Sequence, residues 1–241
     1  YYKNEDKDLL KNKFAGQMSN LQYKLFANKK KALLIILQGM DASGKDSTIR
    51  HVMSFFNPQS CDVVSFKKPT EEDTSHDYLW RMHKYMPAKG EITIFNRSYY
   101  EEVLTVKVHK LITEEICAKR YNQINNFEKY LFENEISIIK LFLHISKDEQ
   151  KKRLQKRLND PSKQWKFSES DIVERKLWDT YILAYEEMLS KCSTKNIPWY
   201  IIPADNKWFR DFIVAQIIVN TLDNMKLEFP KAKIDLSKAL L

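Results

Sequence analysis

A short loop with two glycines and a lysine separates an apolar stretch of the sequence from a stretch suited to a helix. The loop is Gly39-Met40-Asp41-Ala42-Ser43-Gly44-Lys45, which satisfies the pattern G-x-x-x-x-G-K. Residues 33–37 are consecutive apolar residues typical of a buried strand, and residues 46–56 are predicted to be helical. A strand before this pattern and a helix after it are the context required of a phosphate-binding loop. The sequence therefore predicts a fold built around a phosphate site.

The residue types in this loop suit a backbone that wraps around a phosphate group. Gly39 lets the chain turn sharply off the strand, and Gly44 lets backbone N–H groups approach the phosphate. The N-terminus of the following helix directs partial positive charge at the same anion. Lys45 is expected to reach the terminal phosphate oxygens and to neutralise charge that develops on a transferred group. The expected phosphate loop comprises Gly39, Met40, Asp41, Ala42, Ser43, Gly44, Lys45, Asp46 and Ser47.

Glycine is scarce elsewhere, which makes its clustering in this loop informative. The chain has 4 glycines in 241 residues, and two of them lie within residues 39–44. Average usage of about 7% would give roughly seventeen glycines. This composition excludes collagen-like, low-complexity and Gly/Ser-linker chains. The alternative is a chance match in a tight turn, and the flanking strand and helix both argue against it.

Five short apolar stretches alternate with helical stretches along the chain. Apolar residues in the helical stretches recur at i, i+3, i+4 and i+7. The alternation predicts a single α/β domain over residues 1–241, with a five-stranded, mostly parallel sheet and helices on both faces. Residues 168–190 are predicted to form one helix, whose start is marked by Ser168 and Asp171. The predicted strands are residues 32–37, 61–66, 91–95, 136–145 and 198–202.

Three segments are expected as appendages of this domain. They are an amino-terminal helical extension over residues 1–31, a lid over residues 147–175 and a carboxyl-terminal tail over residues 229–241. The extension carries apolar residues on one face, among them Phe14 and Met18. This pattern favours a helix packed on the domain over a dedicated binding arm.

The chain is basic, with 40 Lys and Arg against 32 Asp and Glu and a net charge of +8. Residues 1–31 and residues 147–166 each carry eight basic and three acidic residues, so each segment contributes +5. The charge predicts an anionic partner without choosing among nucleic acid, nucleotide, polyphosphate and membrane. Three widely spaced cysteines, and no apolar run near the roughly 20 residues that a bilayer requires, favour a cytoplasmic protein without a membrane span.

A dense run of cations follows the fourth predicted strand. Lys151, Lys152, Arg153, Lys156 and Arg157 place five cations within seven residues, and the two arginines share a helix face. Kinases with a phosphate loop carry a lid at this place, whose arginines close over the transferred phosphate. A solvated helix face is the alternative that charge alone allows.

The candidate metal ligands depart from the usual pattern of a phosphate loop. Asp46 stands where the loop normally has the Ser or Thr that binds Mg²⁺, so Asp41 inside the loop becomes a candidate ligand. Asn96 directly follows the third predicted strand, where a carboxylate is usual. Metal binding is therefore expected to involve Asp41 with Glu101 or Glu102. The alternative is that the two glutamates only favour the start of a helix.

Several separated motifs together resemble the polyphosphate kinase 2 family. The resemblance extends from about residue 10 to residue 228. It implies a three-layer P-loop kinase fold like that of thymidylate kinase. It also implies reversible, Mg²⁺-dependent phosphoryl transfer between inorganic polyphosphate and nucleotides, with Mn²⁺ as a substitute ion. The motifs are residues 39–46, His76-Asp77-Tyr78-Leu79-Trp80-Arg81, Asn96-Arg97-Ser98-Tyr99-Tyr100-Glu101, Asp160-Pro161 with Trp165-Lys166, Trp178-Asp179 with Tyr181, and Pro203-Ala204-Asp205 with Lys207-Trp208.

The same resemblance implies individual roles. The stretch from Asn96 to Glu101 is similar to the class that converts AMP to ADP and ADP to ATP, and guanine nucleotides are further candidate substrates. Family members of this kind form dimers or tetramers. The implied catalytic residues are Lys45, Asp41 and Arg97, with Asp41 organising Mg²⁺, and the implied nucleotide-binding residues are Arg81, Asn96 and Glu101. The implied polyphosphate track comprises Lys67, Lys68, Arg97, Arg153, Arg157, Lys166 and Arg175, because a polyanion with about one charge per phosphate requires a row of cations.

Two other functions stay open at the level of the sequence. An ATP-dependent nucleotide kinase of the same fold would differ in its phosphate donor. A non-catalytic binder of nucleic acid or another polyanion would use the net charge of +8 and the mixed lysines and aromatic residues of 163–167. Such a binder has no use for an intact phosphate loop, so nucleic acid is not the expected partner.

Overall fold

A five-stranded parallel sheet forms the centre of the molecule. The computed structural model describes residues 4–232 of the chain. The strand order is β2-β3-β1-β4-β5, and all four neighbouring pairs are parallel. The predicted α/β class and every predicted strand boundary, to within one residue, are confirmed. The strands are β1 (Ala32–Gln38), β2 (Cys61–Ser65), β3 (Ile92–Asn96), β4 (Ile136–His144) and β5 (Trp199–Pro203).

Helices cover both faces of this sheet. All residues of β1 and residues 138–143 of β4 are buried, as expected for central parallel strands covered on both sides. The α-helices within the described residues are α1 (Asn4–Leu10), α2 (Gly16–Asn28), α3 (Lys45–Val52), α4 (Glu71–Ser75), α5 (Trp80–His83), α6 (Thr105–Val108), α7 (Glu114–Glu133), α8 (Lys147–Asn159), α9 (Glu169–Lys176), α10 (Trp178–Cys192) and α11 (Lys207–Asn224). Helix α7 packs on β4 and α10, whereas α11 packs on β4, β5, α2 and α3.

One predicted helix is two helices in the structure. The expectation of a continuous helix over residues 168–190 was wrong, because the chain breaks at Leu177 between α9 and α10. The N–H of Leu177 donates to the carbonyl of Glu174, three residues back, which tightens the last turn of α9. The apolar spacing continues across the break and gave no sign of it. The predicted start is confirmed: the Ser168 hydroxyl accepts from Ser170, and the Asp171 carboxylate accepts from the Ser168 N–H.

The amino-terminal helix packs on the domain, as its apolar face predicted. Phe14 and Met18 are fully buried, and the Phe14 ring contacts the ring of Phe212 on α11 with 5.2 Å between centroids. Between α1 and α2, residues 11–15 form a π-helical turn without interrupting the helix. Residues 1–3 of the expected extension and residues 233–241 of the expected tail lie outside the described residues.

The sheet brings two loops together at the carboxyl ends of neighbouring strands. β1 leads into the phosphate loop and β3, which pairs with β1, leads into the turn that contains Arg97 and Glu101. In parallel α/β sheets, ligands bind in the crevice outside these strand ends. None of the helices within residues 4–232 is long and apolar enough to cross a membrane.

Candidate active site

The phosphate loop has the backbone that its glycines predicted. Gly39 and Gly44 have φ values of +153° and +109°, which L side chains rarely adopt, and Ala42 lies in the left-handed region at 62°. A Cβ at Gly39 would lie 2.7 Å from the carbonyl oxygen of Leu143 on β4. A side chain at Gly44 would collide with the guanidinium of Arg210, which lies against the loop. Both glycines are therefore required by close packing of the loop on its neighbours.

Lys45 is held inside the loop by backbone carbonyls. Its side chain is buried, and its Nζ donates to the carbonyl of Gly39 at 2.6 Å and to that of Met40 at 3.3 Å. Burial, followed by the nearby Arg97 guanidinium, lowers the pKa of Lys45 to about 8. An anion bound in the loop would oppose this shift, because a negative charge favours the protonated amine.

Arg97 and two carboxylates surround this lysine. Arg97 Nη2 lies 2.9 Å from Asp41 Oδ1, and the Arg97 backbone has a φ of 65°. Burial lowers the pKa of Arg97, but the carboxylates of Glu101 and Asp41 outweigh it and raise that pKa overall. Glu101 itself accepts from the Thr105 hydroxyl at 2.5 Å. The structure thus brings together four residues that the sequence analysis assigned to the site: Lys45, Asp41, Arg97 and Glu101.

Asp46, which replaces the usual Ser or Thr, links the loop to two other residues that the sequence analysis assigned to the site. Its Oδ1 accepts from the Asn96 amide at 2.9 Å, and its Oδ2 lies 3.7 Å from Lys166 Nζ. Asn96 thereby joins the end of β3 to the start of α3. Lys166, in the segment expected to form the lid, contacts the same carboxylate.

The described residues offer a metal ion few protein ligands. They contain no cluster of three or more His, Cys, Asp or Glu side chains suited to a metal. Asp41 and Glu101 both act on Lys45 electrostatically, so two carboxylates face the phosphate position. Mg²⁺ in phosphoryl-transfer sites is typically held by one or two carboxylates, with substrate phosphates and water completing the shell. The residues present fit such an ion.

Glu102, Arg81 and Lys67 belong to a separate network beside the loop. Glu102 is buried, with Oε2 at 2.9 Å from Arg120 and Oε1 at 3.9 Å from Arg81. Arg81 also donates to the Lys67 carbonyl at 2.9 Å. Because two guanidinium groups neutralise Glu102, the structure favours Glu101 over Glu102 as the partner of Asp41. Lys67 and Lys68 are exposed.

All N–H groups of the Arg153 guanidinium are hydrogen-bonded to the protein. Its Nε donates to Glu149, its Nη1 to the carbonyls of Ala42 (3.1 Å) and Ser43 (3.0 Å), and its Nη2 to those of Ala204 (2.7 Å) and Asp205 (2.8 Å). These five hydrogen bonds use every N–H of the side chain. Arg153 thus ties α8 to the phosphate loop and to the turn after β5, and its place in the polyphosphate track stays a prediction.

The other two predicted lid arginines also contact protein groups. Arg157 Nη1 lies 3.3 Å from Asp171 Oδ2. Arg175 donates to Gln150 Oε1 at 2.8 Å, and Gln150 donates in turn to the backbone carbonyl of Asp41 at 3.0 Å. Arg175 thus reaches the phosphate loop through one intermediate side chain. Both arginines are partly exposed.

Sequence reasoning missed Arg210 and Asp211, which lie beneath the loop. Both are fully buried, and Arg210 Nε donates to Asp211 Oδ1 at 2.7 Å. Arg210 Nη2 donates to the Ser47 hydroxyl at 3.1 Å, and Asp211 accepts from the Thr48 hydroxyl at 3.1 Å. A signal existed in the sequence, because an adjacent Arg-Asp pair interrupts the otherwise apolar stretch from Phe209 to Ala215.

A basic cavity of about 500 Å³ lies between α8 and the turn after β5. Burial, followed by the neighbouring Arg153, Lys156 and Arg210, lowers the pKa of Lys207 in its wall. Arg153 belongs both to this cavity and to the contacts of the phosphate loop. The lining residues are Glu149, Lys152, Arg153, Lys156, Asp205, Asn206 and Lys207.

Comparisons with known proteins agree on one family. The family model described as Polyphosphate kinase 2 (PPK2) matches residues 1–230. An AMP/ADP-polyphosphate phosphotransferase of Meiothermus ruber is 45% identical over 225 residues, covering 93% of this chain and 84% of the relative. An ADP-polyphosphate phosphotransferase of Rhodopseudomonas palustris is 45% identical over 237 residues, covering 93% and 82%. The crystal structure of polyphosphate kinase 2 from Arthrobacter aurescens TC1 superposes with a TM-score of 0.94 at 43% identity, covering 98% of this chain and 85% of that one.

Proposed function

The chain belongs to the polyphosphate kinase 2 family, and we propose that it transfers phosphoryl groups reversibly between inorganic polyphosphate and nucleotides. The proposed reactions are AMP to ADP and ADP to ATP, with guanine nucleotides as further acceptors. The names of the Meiothermus and Rhodopseudomonas relatives support AMP and ADP as substrates. The observation that carries the proposal is a phosphate loop whose Lys45 lies beside Arg97, next to a cavity with three lysines in its wall.

The proposed mechanism needs positioning and charge neutralisation rather than a covalent intermediate. Lys45 and the loop N–H groups would hold the phosphate that is transferred. Arg97, fixed by Asp41, would bind the same group from the β3 side. The two cations would stabilise negative charge that spreads over the phosphate oxygens in the transition state.

Mg²⁺ is the proposed metal, with Mn²⁺ as a substitute, and Asp41 and Glu101 are the residues that would hold it. The ion would neutralise phosphate charge and orient neighbouring phosphate oxygens. Asp41 also contacts Arg97, so its carboxylate would be shared between a metal and a guanidinium. Glu102 is left out of this set because Arg81 and Arg120 already neutralise it.

The proposed path of polyphosphate follows cations that are still accessible. Lysines of the basic cavity extend the track that the sequence predicted, since Lys152 and Lys156 are exposed and Lys207 is half-buried. The proposed track comprises Lys67, Lys68, Arg97, Arg157, Lys166 and Arg175 together with Lys152, Lys156 and Lys207. Arg81, Asn96 and Glu101 are proposed to contact the nucleotide. Residues 147–175 are proposed to act as the lid, in a cytoplasmic homo-oligomer.

The decisive experiment incubates the protein with AMP, long-chain polyphosphate and Mg²⁺, with no ATP added. We expect ADP and then ATP to form, as measured by anion-exchange chromatography. No product from polyphosphate, but ADP formation once ATP is supplied, would instead identify an ATP-dependent nucleotide kinase. Retained polyphosphate binding without product from either donor would identify a passive polyanion binder.

A further inference from the structure

A buried ion pair lies behind the turn that follows β3. Lys140 on β4 and Glu128 on α7 are 0% and 1% exposed, with Lys140 Nζ 2.6 Å from Glu128 Oε2. Lys140 also donates to the Tyr100 hydroxyl at 3.0 Å and to the Cys192 carbonyl at 2.6 Å. These three contacts use every hydrogen-bond donor of the ammonium group.

Two neighbouring tyrosines connect this pair to the turn. The hydroxyls of Tyr99 and Tyr100 both donate to Glu128 Oε1, at 2.9 Å and 2.7 Å. Both side chains are fully buried. Burial, followed by the Glu128 charge, raises the pKa of each tyrosine well above 10, so both hydroxyls stay protonated. Glu128 therefore holds two consecutive residues of the turn by hydrogen bonds.

The residues on either side of these tyrosines face the phosphate loop. Arg97, two positions before Tyr99, contacts Asp41 at 2.9 Å with its backbone in the left-handed region. Glu101 directly follows Tyr100, and its negative charge acts to raise the pKa values of both Lys45 and Arg97. One short segment thus has its ends at the reaction centre and its middle attached to the buried pair.

Stability alone is a weak explanation for such a pair. Removing two charges from water is unfavourable, and replacing a buried ion pair with apolar residues is often neutral or stabilising. We propose that Glu128 and Lys140 are positioning residues, which fix the turn through the hydroxyls of Tyr99 and Tyr100 so that Arg97 and Glu101 face the transferred phosphate. This proposal rests on the proposed function.

The test is the full-length double variant Tyr99→Phe/Tyr100→Phe, which keeps the aromatic rings and the Lys140–Glu128 pair. We expect kcat for ADP formation from AMP and polyphosphate to fall about tenfold or more, because small displacements of reacting groups slow chemistry. KM for AMP should rise by less than kcat falls, because Glu101 is displaced while Arg81 and Asn96, the other residues proposed to contact the nucleotide, keep their places. The Mg²⁺ concentration for half-maximal rate should rise as Glu101 moves.

The matched control is Tyr121→Phe, which removes another buried tyrosine hydroxyl from α7 without touching the pair. Melting temperatures and AMP binding by calorimetry accompany the kinetics for all variants. Unchanged kcat in the double variant would overturn the proposal. So would an equal loss in Tyr121→Phe, or a rise in KM that accounts for the whole effect.

A second double variant, Lys140→Met/Glu128→Leu, removes both charges and also the acceptor of the two tyrosine hydroxyls. We expect it to stay folded, because apolar residues often replace a buried ion pair without loss of stability, and we expect its kcat to fall about as far as that of the tyrosine variant. A kcat near that of wild type would overturn positioning through the pair. Wild-type protein that forms no ADP from polyphosphate would instead overturn the proposed function, so the two failures are distinguishable.

Discussion

Two sets of cations surround the phosphate site, and they differ in what holds them. Lys45, Arg153 and Arg210 donate to backbone carbonyls or to neighbouring side chains, and little of them is exposed. Lys152 and Lys156 lie on the outer wall of the basic cavity and are exposed to solvent. The first set fixes the shape of the loop, whereas the second supplies charge to whatever enters the cavity. Both sets consist of basic residues, so residue type does not separate them, and the difference lies in how deeply the fold buries them.

The largest effect is expected for Lys45→Met, which removes the cation at the transferred phosphate. We expect kcat to fall about 10³-fold, because the loop loses its charged donor to the transition state. A steady-state assay of ADP formation from AMP and polyphosphate measures this. The control is Lys151→Met, an exposed lysine on α8. Similar rates for the two variants would remove the distinction between the two sets.

The second largest effect is expected for Arg153→Lys, which keeps a positive charge but cannot make five hydrogen bonds. Lysine has three donors, so backbone carbonyls of the loop lose their partners, and we expect a loss of about 2 kcal/mol in unfolding free energy. Displacement of the loop should lower kcat about tenfold. Urea unfolding and kinetics at two salt concentrations provide the measurement. If charge alone mattered, this variant would match wild type.

The pH dependence tests whether Lys45 must be charged. Its pKa of about 8 lies below the ordinary 10.5, so kcat/KM should decrease about tenfold per pH unit above pH 8. Between pH 8 and 10.5 the unfolded chain binds more protons at this lysine than the folded chain does. The contribution of Lys45 to the free energy of unfolding therefore rises with pH in that window. The difference in melting temperature between Lys45→Met and wild type should shift in favour of wild type as pH rises, and a constant difference would contradict the lowered pKa.

The smallest effect is expected for the triple variant Lys152→Ala/Lys156→Ala/Lys207→Ala in the basic cavity. KM for long polyphosphate should rise about fivefold at low salt, and the difference should shrink near 0.5 M salt because exposed charges are screened. KM for AMP should stay unchanged. Lys151→Ala serves as the control for loss of charge on α8. An increase in KM that persists at high salt would mean that these lysines act like the buried set.

The strands were predictable because each is a short stretch rich in β-branched or aromatic residues. The phosphate loop was predictable because its glycines and lysine have fixed spacing. The contact of Arg210 with the loop was not predictable, because Arg210 lies 165 positions after Lys45 and reaches the loop only when α11 packs beside α3. The hydrogen bonds of Arg153 to the loop were not predictable, because charge density does not reveal whether a guanidinium has acceptors. The break at Leu177 was invisible because the apolar spacing continues through it.

The five hydrogen bonds of Arg153 also determine where a closing movement can begin. Four of them join α8 to the phosphate loop and to Ala204 and Asp205, and so attach the first two turns of α8 to the body of the protein. A lid that opened as far as Arg153 would have to break these four contacts at once. The proposed lid would therefore move only beyond Arg153, where Lys166 contacts Asp46 of α3, Glu174 contacts His109, and Arg175 contacts Gln150. Opening the site would then release these partly exposed side-chain contacts and leave the phosphate loop intact.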